Sequence, residues 1–420
     1  MKKFIVLLFS FLFLLQSLVF ATDLKTDYPL EKTVIFSRHN LRAPLDKGSN
    51  SLLYKVTPHK WAARDEKGGE LSSRGGELEV LMGQYFKKWL ESEKFIPENY
   101  MPQKGEVRFY ANSLQRTIAT AKYFSAGMLP LANVEVERYG KFNKFDPVFD
   151  FHTKKLPPNE NFENLFMREY NAFKTPTLKE NTIKSVKLVE EILDFKNSIY
   201  AKEHKTSTFL IPNEDYFTVS INNRFELSGS ARPAMKAADA LILECYETGD
   251  SKKAAFGKEL TFEEWQAVGR LHGLGLYSIF KLPSVSKFGA YPIIKELRSE
   301  LLNPERKFSF LCGHDINIAA ILSALEIEDY ALPNAIEPIT PIGVKFMIEK
   351  RSGKDGKKYA ALKLVYQGVK QIQKVKPLNL ENPPMIVNLK LKGLEQNSDG
   401  FYLFDDVVKR MDSIIKTVDK

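Results

Sequence analysis

The sequence is short of cysteine and, after its first twenty-one residues, of long apolar runs. Cys245 and Cys312 are the only cysteines among 420 residues. One internal disulfide is therefore the most that the chain can form, and we expect two free thiols. No apolar stretch after residue 21 is long enough to span a bilayer. The sequence thus indicates neither a disulfide-rich scaffold nor an integral membrane protein.

Nucleic-acid and metal-binding patterns are also missing. The formal net charge is +9, but the lysines are dispersed and no basic tract carries interleaved aromatic residues. The excess charge either attracts anionic substrates or is simply a solvated basic surface. His59, His152, His204 and His272 lack the spacing of a metal site, and we interpret them as ordinary surface or core residues. We expect no nucleic-acid partner, no metal and no cofactor.

The first twenty-one residues have the pattern of a secretory signal peptide. Lys2 and Lys3 precede the apolar run 4–20, and Ala21 provides a small residue at the predicted cleavage site. We expect residues 1–21 to be removed on export, and the remaining chain to have no membrane association.

The N-terminal part of the chain follows the order strand, helix, strand, helix, which is typical of a parallel sheet. Residues 32–37 and 106–111 read as strands, and Ser72-Ser73 and Asn112-Ser113 are predicted to cap the helices that follow them. Downstream, 307–312 is a predicted strand with a helix at 317–325. We therefore predict an α/β fold with a central, mostly parallel sheet flanked by helices.

The middle of the chain has few strand signals. Residues 146–257 carry helical periodicity, so we predict an inserted, mostly helical domain there, between the α/β segments 22–145 and 258–420. Alternating apolar residues near 344–348 and 362–366 predict an antiparallel strand pair, and 404–418 predicts a terminal amphipathic helix.

Polar side chains follow two of the predicted strands directly. Arg38-His39 and Arg42 come after the first strand, and His314-Asp315 comes after the strand that ends at Cys312. In a parallel sheet both loops open at the carboxyl edge, where ligands of open α/β folds bind. Arg116 lies in the first turns of a helix that starts at the same edge. We expect these side chains to share one pocket.

This set of residues suits phosphoryl transfer. Guanidinium groups bind phosphate and neutralise its charge without a metal, which is the role predicted for Arg38, Arg42 and Arg116. A neutral histidine attacks phosphorus, which we predict for His39. We predict that Asp315 protonates the leaving oxygen and later takes a proton from water. His314 is predicted to bind the phosphate.

The motif Arg38-His39-x-x-Arg42-x-Pro44 with a distant His314-Asp315 resembles the histidine acid phosphatase family, branch 2. Within that family the chain is most similar to bacterial periplasmic glucose-1-phosphatases, with phytases as near relatives. The segments 37–45, 110–117, 313–319, 340–343 and 399–401 carry the likeness. The resemblance implies a phosphoglycerate mutase-like α/β fold with an inserted helical domain, a phosphohistidine intermediate and a periplasmic location.

Two details concern the substrate. Many relatives have glycine after the catalytic histidine, whereas this chain has Asn40, as the glucose-1-phosphatase branch does. That branch also places a glutamate over the pocket, which resembles Glu247. The resemblance therefore implies a small sugar-phosphate monoester such as glucose 1-phosphate, and a monomer or homodimer. The alternatives are a phytase acting on inositol hexakisphosphate, a non-catalytic phosphate-ester binding protein and a metallophosphatase.

Overall fold

A central eight-stranded sheet organises the protein. The computed structural model describes residues 27–45, 51–62, 66–150, 160–221 and 225–418. The strands are β1 (Leu30–Arg38), β2 (Val107–Ala111), β3 (Val136–Glu137), β4 (Thr218–Ile221), β5 (Phe225–Ser228), β6 (Phe308–Gly313), β7 (Lys345–Ser352), β8 (Lys358–Tyr366), β9 (Met385–Asn388) and β10 (Tyr402–Leu403). The order in the sheet is β10-β8-β7-β1-β6-β2-β3, and β9 also pairs with β8.

Thirteen α-helices are present in the described residues. They are α1 (Leu52–Lys55), α2 (Ser73–Ser92), α3 (Gln115–Met128), α4 (Glu160–Phe173), α5 (Pro176–Ile192), α6 (Ile199–His204), α7 (Arg232–Glu247), α8 (Ser251–Ala254), α9 (Phe262–Phe280), α10 (Pro283–Leu302), α11 (Asp315–Ala324), α12 (Val369–Lys374) and α13 (Phe404–Val418). Ser72 caps α2 as predicted, since its side chain accepts from the Gly75 N–H.

The strands β1, β6, β2 and β3 are parallel, and β7 joins β1 antiparallel. The predicted antiparallel pair is β7 with β8, which extends the sheet on the far side of β1. Each of the parallel strands β1, β6 and β2 is followed by a loop at the same edge, because their carboxyl ends point the same way. The predicted α/β sheet with flanking helices is confirmed.

Alternate residues of β1 face different layers of the core. Ile35 packs with Met82 of α2 and Phe124 of α3 on one face. Val34 and Phe36 belong to the cluster on the other face, which includes buried residues of α10, α11 and α13. This alternation buries both faces of a central strand, which explains why Val34, Ile35 and Phe36 are three consecutive apolar residues.

A third cluster lies in the helical part of the chain and includes buried residues of α5, α7 and α9. The hairpin β4–β5 was not predicted; its strands are four residues each, too short to give a clear alternating pattern. The predicted limits 146 and 257 of an inserted domain stay a prediction, although α9, which starts after residue 257, packs in the same cluster.

The two cysteines are buried and unpaired, as predicted. The predicted signal peptide, residues 1–21, lies outside the described residues. Among the residues that are described, no helix has the length and apolar character needed to cross a membrane.

Candidate active site

A cleft of about 1370 Å³ opens where the carboxyl ends of β1 and β6 meet α7 and α9. Five of the six predicted residues line it: His39, Arg42, Arg116, His314 and Asp315. The sixth, Arg38, is 1% exposed and contacts Asp315 directly. The structure therefore brings the two distant sequence motifs together at one site.

His39 is held from two directions. Its backbone N–H donates to the Gly313 carbonyl oxygen at 3.0 Å, which ties the loop after β1 to the end of β6. Its ring Nδ1 lies 2.8 Å from the Asn40 carbonyl oxygen. Since a carbonyl oxygen can only accept, Nδ1 carries the proton of the neutral ring. The lone pair is then on Nε2.

The pKa of His39 is lowered well below its ordinary value. Burial is the main cause, and the neighbouring Arg116, His314, Arg42 and Arg38 add to it. A buried imidazole among guanidinium groups resists taking a second proton. The lowered pKa therefore favours the neutral ring of His39 in mild acid.

Arg38 is the buried charge beneath the site. It donates to Glu337 and to the Thr340 carbonyl oxygen, and its Nη2 lies 3.2 Å from Asp315 Oδ2. Burial lowers the pKa of Arg38, but the negative charges of Glu337 and Asp315 outweigh burial and raise it. Two carboxylates thus fix the Arg38 guanidinium in place.

The other two arginines differ in how well they are paired. Arg42 Nη2 is 3.2 Å from both carboxylate oxygens of Asp239. Arg116 Nη1 donates to the Gly69 carbonyl oxygen at 3.3 Å, and its Nε has no hydrogen-bond partner among the described residues. Burial and the nearby Arg42 lower the pKa of Arg116 to about 10. Arg116 is therefore a buried donor that an entering phosphate can satisfy.

His314 is oriented by Asn112. The Asn112 Oδ1 accepts from two backbone N–H groups, those of Ser113 and Asp146. Its amide nitrogen therefore faces His314 Nε2, at 2.7 Å. The predicted capping of the following helix by Asn112-Ser113 is wrong: α3 begins after Leu114, and Asn112 supports the site instead.

Asp315 is ionised in the free protein. Burial raises the pKa of its carboxyl group, but Arg38, His272 and His314 outweigh burial and lower the pKa to about 2. A depressed carboxyl pKa stabilises the folded state above the ordinary value of 3.8, and this contribution is lost as the pH falls through about 2. A proton reaches this carboxylate only when added negative charge raises its pKa.

Two pocket residues were missed by the sequence analysis. Asp239 on α7 pairs with Arg42, and His272 on α9 lies with its Nε2 3.8 Å from Asp239 Oδ1. Both line the cleft. The position of His272 at the cleft was not indicated by the sequence. The sequence carried no signal for either residue, because each lies inside a helical pattern far from both motifs.

Glu247 is not where a pocket lid requires it. It ends α7 and accepts from the Ser72 hydroxyl at 2.8 Å, so it ties α7 to the start of α2. The α7 residues that line the cleft are Arg232, Met235, Lys236 and Asp239. The acidic side chain at the mouth is Glu226, an exposed residue of β5. Eight residues of helix, roughly 12 Å, separate Asp239 from Glu247.

No group of three or more histidine, cysteine, aspartate or glutamate side chains in the described part of the chain is arranged to hold a metal ion.

Comparison with known proteins decides the family. The model of the histidine phosphatase superfamily (branch 2) matches residues 29–367. The chain belongs to this superfamily. It is 32% identical to the glucose-1-phosphatase of Providencia rettgeri over 398 residues, covering 93% of each chain. It is 32% identical to the glucose-1-phosphatase of Salmonella typhimurium over 413 residues, covering 97% of each.

The fold also matches solved structures of the same family. The phytase of Hafnia alvei in its apo form superposes with a TM-score of 0.81 at 26% identity, covering 93% of this chain and 98% of that one. The protein is therefore a histidine acid phosphatase, a hydrolase of phosphate monoesters. The relatives include enzymes named for two different substrates, so the family leaves the substrate open.

The lowered pKa of His39 can be tested by NMR of the free protein, without a substrate. A free histidine is half protonated near pH 6.5, whereas His39 is expected to keep the ¹⁵N shifts of a neutral Nδ1–H ring well below that pH, because its pKa is lowered. Ring signals that disappear in His39→Ala identify the residue, and a histidine in an unstructured peptide is the control. Signals of the charged ring that appear near the peptide's midpoint would show that the pocket does not lower the pKa.

Proposed function

We propose that this phosphatase transfers the phosphoryl group of a monoester to Nε2 of His39 and then to water. The observation that carries the proposal is the tautomer of His39, since its Nδ1–H is bound to the Asn40 carbonyl and Nε2 keeps the lone pair. Arg42 and Arg116 line the same cleft as His39 and would bind the phosphate oxygens. His314 would donate to the phosphate, and Arg38 would complete the positive field.

Asp315 would act as the proton donor only after the substrate arrives. The free carboxylate has a pKa of about 2, too low to carry a proton at moderately acid pH. A bound phosphate places negative charge among the arginines, which raises the pKa of the neighbouring carboxyl. Substrate binding would thus favour the protonated form of Asp315 that the reaction needs.

The reaction would proceed in two chemical steps. The Nε2–P bond forms while the P–O bond to the leaving group breaks, and the Asp315 proton moves to the departing oxygen. Water next attacks phosphorus and gives a proton to the Asp315 carboxylate. The P–Nε2 bond breaks in the same step, which releases inorganic phosphate. The arginines hold the phosphate oxygens in both steps, so positioning and charge stabilisation come from the protein.

Asp315→Asn separates the proton donor from the phosphate site. We expect kcat for an alkyl phosphate to fall by about 10²–10⁴-fold, the usual value of a positioned acid. An aryl ester with an acidic phenol needs little protonation and is expected to lose far less. Quenching in alkali, in which the P–N bond is stable, with ³²P-labelled substrate should still trap a phosphohistidine in this variant and none in His39→Ala.

Several outcomes would count against this assignment. Equal losses for the alkyl and aryl esters would remove Asp315 from the acid role. Bound phosphate without any trapped phosphohistidine in the wild type would indicate a binding protein, and dependence on a divalent metal would indicate a metallophosphatase.

We further propose that small sugar monophosphates such as glucose 1-phosphate are the preferred substrates. Two relatives with 32% identity over nearly the whole chain are named glucose-1-phosphatases. The acidic Glu226 at the mouth of the cleft would repel a substrate that carries many phosphates. The alternative, a phytase, is favoured by Arg232 and Lys236, which line the cleft and form no ion pair within the described residues.

Glu226→Gln tests which charge decides the substrate. We expect kcat/KM for inositol hexakisphosphate to rise by roughly 3- to 10-fold on removal of one repulsive charge, with kcat/KM for glucose 1-phosphate changed by less than about twofold. Glu381→Gln, at an exposed position outside the cleft, is the matched control. A wild-type enzyme that releases several phosphates from inositol hexakisphosphate faster than it hydrolyses glucose 1-phosphate would establish the phytase alternative.

We also propose that residues 1–21 direct export to the periplasm, because they combine a basic start with an apolar run and a small residue at the end. Mass spectrometry of the protein from a periplasmic extract should give a chain that begins at Thr22. Full-length protein retained in the cytoplasm would contradict this.

A further inference from the structure

A fully buried ion pair lies directly behind the nucleophile. Lys345, the first residue of β7, and Glu79, on α2, are both completely inaccessible to solvent. The Lys345 Nζ is 3.0 Å from Glu79 Oε1, and it also donates to the Gly343 carbonyl oxygen at 2.9 Å. A buried ion pair adds little stability for its desolvation cost, so its presence beside an active site calls for another explanation.

The ion pair is connected to the catalytic loop through the side chain of Asn40. Asn40 Nδ2 donates to Glu79 Oε1 at 2.6 Å. Asn40 Oδ1 accepts from the Leu41 N–H at 2.8 Å, and the Asn40 backbone N–H donates to Thr120 Oγ1 at 3.1 Å. Every polar group of this residue except its carbonyl oxygen is thereby anchored away from the cleft. The carbonyl oxygen is the group that holds His39 Nδ1–H.

Glu79 uses one oxygen for both of its partners. Oε1 accepts from Asn40 and from Lys345, while Oε2 has no hydrogen-bond partner among the described residues. A carboxylate that served only to neutralise Lys345 could use either oxygen. The shared oxygen instead joins the lysine and the amide in one chain of contacts, from Lys345 through Glu79 to Asn40.

Gly343 makes room for this arrangement. Its φ of +65° is a left-handed conformation that favours glycine. A Cβ atom at this position would lie 2.5 Å from Asn40 Nδ2 and 3.3 Å from Glu79 Oε1. The turn before β7 is thus built so that the Asn40 amide can reach Glu79.

We propose that Asn40 and Glu79 are positioning residues that fix the orientation and tautomer of His39, and that Lys345 holds Glu79 in place for this purpose. The role rests on His39 being the nucleophile, as proposed above. Asn40 does not line the cleft. It therefore acts on the reaction through the histidine ring and makes no direct contact with the substrate.

Asn40→Ala breaks the link and leaves the ion pair intact. We expect the rate of phosphohistidine formation, measured by rapid quench, to fall roughly 10- to 100-fold, because a histidine ring that is no longer held in position attacks phosphorus less efficiently. KM and the inhibition constant of inorganic phosphate should change by less than about threefold, because the arginines are untouched. Glu77→Gln, an exposed glutamate on the same helix, is the control and should behave as the wild type.

Two double variants isolate the hydrogen bond from the charges. Glu79→Gln with Lys345→Met and Glu79→Leu with Lys345→Met both remove the ion pair, a replacement that cores often tolerate. Only the glutamine can still accept from Asn40 Nδ2. We expect the glutamine variant to form phosphohistidine within about threefold of the wild-type rate, and the leucine variant to be as slow as Asn40→Ala.

Each result decides the proposal. Equal rates in the two double variants, or a wild-type rate in Asn40→Ala, would overturn it. If the double variants fail to fold, as judged by circular dichroism, Asn40→Ala alone remains decisive. A wild-type enzyme that traps no phosphohistidine at His39 would instead overturn the proposed function, so the two failures are distinguishable.

Discussion

The parallel pairing of β1 with β6 is the interaction on which the rest of the site depends. Its register places Arg38 opposite Gly313, so the two chain segments leave the sheet side by side. One further hydrogen bond, from the His39 N–H to the Gly313 carbonyl, carries the pairing past the strand ends. Residues that are 275 positions apart thus share one rigid frame, and the ring centroids of His39 and His314 are 5.5 Å apart.

Two groups in the same pocket, His39 and Asp315, have pKa shifts that favour opposite charge states. Burial and the nearby guanidinium groups keep His39 neutral, whereas the Arg38 guanidinium helps to keep Asp315 charged against the effect of burial. Two carboxylates partly offset the positive charge of the arginines, since Glu337 pairs with Arg38 and Asp239 pairs with Arg42. The helical part of the chain supplies the second of these, so it contributes to the electrostatics of the site and does more than cover it.

The sheet and the convergence of the six candidate residues on one cleft could be predicted from the sequence, because both follow from local patterns. Apolar strands end in polar motifs, and the motifs have fixed spacing. Asp239 and His272 could not be found in this way, since helical periodicity does not tell which turn of a helix faces a distant strand end. Glu247 was predicted from the family resemblance alone, and Glu226 could not be found from the sequence because β5 is too short to be read as a strand.

Arg42 is held by both oxygens of Asp239 before any substrate is present. An incoming phosphate must share this guanidinium with a carboxylate, and a departing phosphate leaves it with its partner already in reach. In the proposed mechanism this contact would make phosphate binding weaker than binding by an unpaired Arg42. Free phosphate would be the product of every turnover, so the Asp239 carboxylate would favour its release.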